Sequence, residues 1–169
     1  MNEFVGYGAA IDNKPFQWFI YIQFMSHSYY QIWIHAIWAT KHRQPFISSE
    51  VEKSIFDFMW KQFEELGCPV RIINGMPDHV HCLFLQNPKK SVAETIKQIK
   101  GSTSHFINQN NLTEERFSWQ TGYGCFSVSQ SVVDKTFVYI KNQKQHHSKK
   151  TFDEEYNAFL ERYGLNKNG

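Results

Sequence analysis

Two histidines one residue apart, and a tyrosine and a glutamine four residues apart, are the groups in this chain best suited to chemistry. His79-Val80-His81 falls in a stretch of strand character, where side chains alternate at a period of two, so both imidazoles leave the same face. Such a face offers two nitrogens to a divalent ion, although an isolated His-x-His is more often a pair of ordinary half-buried strand residues. Tyr139 and Gln143 lie four apart on a predicted helix, which stacks the phenol and the amide on one side, with Lys141 and Lys144 on its polar flanks. That spacing would deliver a nucleophile and a third metal ligand together. Taken alone, it more often describes a tyrosine at the core margin and a solvated glutamine. Specificity comes from combining the two elements. Tyr123 and Tyr156 are rival tyrosines, but neither has a glutamine four residues later. His35, His42 and the pair His146-His147 read as surface or packing histidines without ligand roles.

The elements that must position these groups follow from hydrophobic periodicity. Residues 29–40 alternate β-branched and aromatic side chains on both faces, the pattern of a central strand. Ser48 or Ser49 is expected to cap a first helix, with Glu50 and Glu52 in its first turn, apolar residues from Val51 to Leu66 at spacings of three and four, and Gly67 at its end. Residues 70–74 and 79–86 read as a hairpin around the turn-forming run Gly75-Met76-Pro77-Asp78. Ser91-Val92-Ala93-Glu94 is a capping box that opens a second helix through Ile96 and Ile99. A fourth strand is expected at 126–129, a third helix from Ser131 with Asp134 in its first turn, and a short helix at about 153–163. The order is an α/β (α+β) one, whose first six elements form the ferredoxin-like β-α-β-β-α-β pattern. It predicts a four-stranded antiparallel sheet with helices on one face, plus a C-terminal helix that bears the tyrosine.

Composition narrows the classes of function. A chain of 169 residues with 41% hydrophobic and 20% charged residues has enough apolar surface for one core and is not of disordered type. The longest aromatic run, 16–25, spans only about ten residues and is interrupted by Gln17 and Gln23, too short for a membrane-spanning helix. It also lacks the flanks of a secretory signal, so the cytoplasm is the expected location. Residues 1–24 read as an N-terminal extension, with Met25 a candidate for the true start, and 25–169 as a single domain. Cys68, Cys82 and Cys125 are odd in number and form no CxxC, which predicts reduced, mostly buried thiols. The net charge of +2 is mild, but its distribution is uneven. Lys89, Lys90, Lys97 and Lys100 face the single acid Glu94 within one segment, and Lys141, Lys144, Lys149 and Lys150 lie in another that has no acid. These are two basic patches, each equally readable as a solvated helix face.

The run Gly75-Met76-Pro77-Asp78-His79-Val80-His81-Cys82-Leu83 resembles the His-hydrophobic-His motif of the single-tyrosine HUH transposases, which comprise small insertion-sequence transposases and REP-associated tyrosine transposases. The resemblance continues through Ile99-Lys100-Gly101-Ser102-Thr103-Ser104, Trp119-Gln120-Thr121-Gly122-Tyr123-Gly124 and Val128-Ser129-Gln130-Ser131. It closes with Tyr139-Ile140-Lys141-Asn142-Gln143 and His146-His147, and so spans about 28–165. It implies a transposase that cuts single-stranded DNA, with Tyr139 as nucleophile and a 5′-phosphotyrosine intermediate. It further implies His79, His81 and Gln143 around one Mg²⁺ or Mn²⁺, DNA marked by hairpins, and a homodimer in which the tyrosine helix of one subunit completes the site of the other. Imidazoles alone suit zinc or nickel better, so the metal's identity rests on the resemblance. The family's tyrosine helix swings, and with no glycine between Cys125 and Tyr139 any bend here must fall at 127–131. Lys89, Lys90, Lys97, Lys100, Lys141 and Lys144 are the candidate phosphate contacts, with exposed aromatics for base stacking.

Two other classes compete with this reading. A non-catalytic ferredoxin-like module for single-stranded nucleic acid would stack bases on an open sheet face and never form a covalent link. A histidine-based phosphoesterase would turn over small phosphodiesters and be indifferent to Tyr139.

Overall fold

The computed structural model describes residues 29–146, 152–162 and 164, and the fold belongs to the unit Gln31–Gly169. The expected extension 1–24 lies outside the described residues. Strands β1 (Trp33–Ala39), β2 (Val70–Met76), β3 (His79–Leu85) and β4 (Gly124–Val128) form one sheet in the order β2-β3-β1-β4, with every neighbouring pair antiparallel. This is the arrangement expected of the split β-α-β-β-α-β pattern. Among the described residues no helix is long and apolar enough to cross a membrane.

Alternation along the inner strands decides what each face carries. Ala36, Trp38, Val80, Cys82 and Phe84 point to one side and pack with Ile55, Met59 and Phe63 of α1 (Glu52–Glu65) and with Ile96 and Ile99 of α2 (Val92–Gln109). Leu83 and Val128 point to the other side and pack with Val133 and Ile140 of α3 (Val133–Lys141). The chain continues into α4 (Gln143–His146) and α5 (Phe152–Arg162). Because both faces are covered, β3 is buried from His79 to Phe84. Its histidines therefore lie inside the protein, on the face that α3 covers.

Local chemistry explains most element ends. The Ser91 hydroxyl accepts from the Glu94 N–H at 3.2 Å, and the Ser91 N–H donates to the Glu94 carboxylate at 2.9 Å, which completes the capping box of α2. α1 starts differently from expectation. It begins after Val51 without a side-chain cap, and the Ser48 backbone carbonyl accepts from the Val51 and Glu52 N–H groups instead. Gly75 also departs from its expected place. It belongs to β2 rather than to the turn, which contracts to Pro77-Asp78, because the backbones of β2 and β3 approach too closely at Gly75 for any side chain. Lys100, expected at the surface, is half-buried, and its ammonium donates to the carbonyls of Gln120 at 2.8 Å and Gly122 at 2.6 Å. It ties α2 to the segment that leads into β4. All three cysteines are free thiols, with Cys68 and Cys82 buried and Cys125 half-buried.

Candidate active site

His79 and His81 occupy the first turn-proximal positions of β3, on the face beneath α3, with ring centroids 5.2 Å apart. Both are almost fully buried. His79 Nδ1 donates to Asp78 Oδ1 at 2.7 Å, and Asp78 also holds the Arg43 guanidinium at 2.7 Å. Burial lowers the His79 pKa from the usual imidazole value, with Asp78 pulling the other way. Burial also works to raise the Asp78 pKa, but the hydrogen bond with His79 and the nearby positive charge of Arg43 bring it below the usual carboxylate value. The result is an uncharged imidazole with a carboxylate behind it, the outer arrangement that fixes a metal-ligating ring.

The tyrosine reaches the same place from the other side of the layer. Its ring lies 6.1 Å from the His81 ring and 6.2 Å from that of His35, edge-on to both. This approach occurs within one chain. Two contacts with β2 hold α3 there. Asn74, the cross-strand partner of His81, donates from Nδ2 to the carbonyls of Ile140 at 2.8 Å and Lys141 at 3.1 Å, which caps the end of the helix. Arg71 lies 5.1 Å from the centre of the Phe137 ring and reaches Asp134. At the other end, the Trp33 indole donates to Gln130 Oε1 at 2.8 Å, just before α3 begins.

Contrary to the single helix that the spacing predicts, Gln143 does not share a continuous helix with Tyr139. The chain leaves helical geometry at Asn142 (φ −94°, ψ 16°), and Gln143 opens α4, where it is wholly buried. The break lies one residue beyond the carbonyls that Asn74 captures. Among the described residues no group of three His, Cys, Asp or Glu side chains converges to hold a metal. Two buried imidazoles, one backed by a carboxylate, and a buried amide two residues beyond the helix that covers them still suit a divalent ion whose remaining positions are filled by phosphate oxygens.

The six lysines divide. Lys141 is exposed in the last turn of α3, two residues after Tyr139. Lys144 is exposed but pairs with Glu52 at 2.7 Å. Lys89 and Lys90 follow the far end of β3, about 20 Å along the strand from His79. Lys97 is exposed on α2, across the sheet from Tyr139. Lys100 is engaged with the two carbonyls described above.

Three residues found beside the histidines and the tyrosine helix were given no place there by the sequence reading: His35, Asp78 and Asn74. Asp78 had a visible signal, a carboxylate directly before a candidate ligand. His35 and Asn74 had none, since their relation to His81 depends on strand register.

The family model of IS200-like transposases matches residues 28–143. The ISDra2 transposase TnpA of Deinococcus radiodurans is 28% identical over 119 residues, which cover 68% of this chain and 85% of that protein. A crystal structure of a chain from Deinococcus radiodurans R1 assigned as a transposase superposes with a TM-score of 0.54 at 25% identity, covering 70% of this chain and 95% of the other. A REP-associated tyrosine transposase bound to a REP hairpin shares the fold at a TM-score of 0.53 and 14% identity, covering 73% of each chain. With a matched segment that runs from the start of the sheet through Tyr139 to Gln143, the chain belongs to the IS200-like transposases and is a DNA transposase.

Proposed function

We propose that this transposase cleaves and rejoins single-stranded DNA through a covalent bond to Tyr139. The observation that carries the reading is the Tyr139 ring set edge-on against His81, above a buried histidine pair. In the first step the Tyr139 oxygen attacks the scissile phosphorus, the bond to the 3′ oxygen breaks, and that oxygen departs as a 3′-hydroxyl. A phenol with a pKa near 10 is mostly protonated at neutral pH, so its proton must leave as attack proceeds. The 5′-phosphotyrosine keeps the phosphodiester bond energy. A second 3′-hydroxyl can attack the phosphotyrosine, reseal the strand and release Tyr139 without a nucleotide cofactor.

His79, His81 and Gln143 are the residues that would hold Mg²⁺ or Mn²⁺. When bound, the ion supplies Lewis acidity that draws charge from the non-bridging phosphate oxygens. An uncharged ligand set leaves the whole positive charge for the phosphate. Asp78 orients His79, and Asn74 keeps the tyrosine helix seated. The substrate class is a strand carrying hairpins, supported by the shared fold of the hairpin-bound relative. Lys141, Lys89, Lys90 and Lys97, all exposed, are the lysines that would contact phosphates along the strand. A second copy of the chain is the expected protein partner. Within the single chain described, Tyr139 stands against its own His81.

The test is a denaturing gel for a covalent protein–DNA adduct, using strands from the gene's own flanks with Mg²⁺ or Mn²⁺. Wild type should form an adduct that EDTA abolishes and that Tyr139→Phe cannot make. Strand binding with no adduct across these flanks would favour a non-catalytic binding module.

A further inference from the structure

His35 lies on β1, on the face that carries His79 and His81, diagonally across the strand pair from His81. It is 2% exposed. Its Nε2 lies 3.0 Å from His81 Nδ1, and the two rings are nearly coplanar, with centroids 5.3 Å apart and planes inclined by 23°. Phe126 and Tyr139 flank His35, at 6.5 and 6.2 Å between ring centres. A histidine serving only to fill the core would need no such alignment with a second imidazole.

The geometry points to His35 as the positioning residue for His81: it accepts the His81 Nδ1–H, and so sets both the tautomer and the ring angle with which His81 presents Nε2 to a divalent ion. Only one proton can stand between the two facing nitrogens. If His81 ligates through Nε2, that proton sits on its Nδ1 and His35 Nε2 is the acceptor. His79 shows the same arrangement with a different partner, because its Nδ1 is taken by Asp78. Both rings are therefore held by the same atom, one by a carboxylate and one by a neutral imidazole. A neutral acceptor at His81 adds no negative charge beneath the phosphate. This inference rests on the metal-binding role proposed above for His79 and His81.

Two variants separate orientation from packing. His35→Leu keeps bulk and removes the acceptor, whereas His35→Gln places an amide oxygen near the position of the lost Nε2. Affinity for Mn²⁺ is measured by direct titration followed by electron paramagnetic resonance, with ¹⁵N-imidazole spectra of the metal-free proteins reporting the His81 tautomer. His35→Leu should bind Mn²⁺ about 10- to 100-fold more weakly, as loss of an outer partner does. It should also lose the fixed Nδ1–H tautomer, while His35→Gln keeps the tautomer and most of the affinity. Equal weakening in both variants would reduce His35 to packing and overturn the role, as would unchanged affinity in His35→Leu. If wild type itself binds no Mn²⁺, the metal reading fails and takes this role with it. Wild-type binding that His81→Ala abolishes and His35→Leu leaves intact refutes His35 alone. Should His35→Leu not fold, His35→Asn, whose amide stops short of His81, provides the same contrast with His35→Gln.

Discussion

Gly75 lies in β2 opposite Val80, and a Cβ built there would stand 2.2 Å from the His79 carbonyl oxygen and 2.9 Å from the Val80 Cα. Both obstacles are backbone, so no side chain can turn aside. To reach even 3.0 Å, the two strands must part by 0.8 Å at the residue that carries the first imidazole. Metal-ligand distances tolerate only about 0.2 Å, so in the proposed metal site Gly75→Ala moves His79 well outside the range of a ligand. Overpacking of this kind costs about 1–3 kcal/mol in stability, and misplacement approaching 1 Å lowers reaction rates by about 100-fold. The assays are urea denaturation, Mn²⁺ titration and the rate of adduct formation. Gly101→Ala is the control, since a Cβ there meets nothing within 4 Å and replacing a helical glycine should stabilise by about 0.5–1 kcal/mol. If Gly75→Ala matches wild type in stability and in Mn²⁺ affinity, the close strand approach does not fix His79 and the reasoning is wrong.

Lys100→Met should lower stability by about 1–3 kcal/mol through loss of its two carbonyl partners, and leave the salt dependence of single-strand binding unchanged. Lys141→Met should do the opposite, reducing the slope of log K against log salt by about 0.7 while stability stays within about 0.5 kcal/mol. Asn74→Ala removes both bonds at the end of α3, at about 1–2 kcal/mol; amides of α3 should exchange faster and adduct formation should fall more than strand affinity. Burial raises the pKa of all three thiols, that of Cys125 to about 11. At pH 8 only about one Cys125 in a thousand is then a thiolate, so the folded protein should resist iodoacetamide and react on denaturation.

The sheet order, its two covering helices and the separate tyrosine helix were legible because periodicity and caps are local properties. Ser91 with Glu94, and the apolar stripe from Ile55 to Phe63, carry their structural meaning within a few residues. The misplacements share one cause. Gly75 looks like a turn glycine until β3 is set beside it, and Lys100 looks solvated until residues 120–122 arrive to accept from it. In the site, the His79-Val80-His81 pattern and Tyr139 could be read directly, whereas the break at Asn142 could not, because Asn74 caps the carbonyls just before it from another strand. His35 was passed over for the same reason. Its neighbour His81 is 46 residues away, and only the β1–β3 register brings them together.

The tether between Trp33 and Gln130 joins positions 97 residues apart, and Tyr139 lies beyond the second of them. On the ribosome, therefore, the histidine hairpin and both core helices are made before Tyr139. The tether itself can close only once the chain has been made past Gln130. Under the role proposed for Tyr139, cutting therefore waits until α3 has been made and has docked.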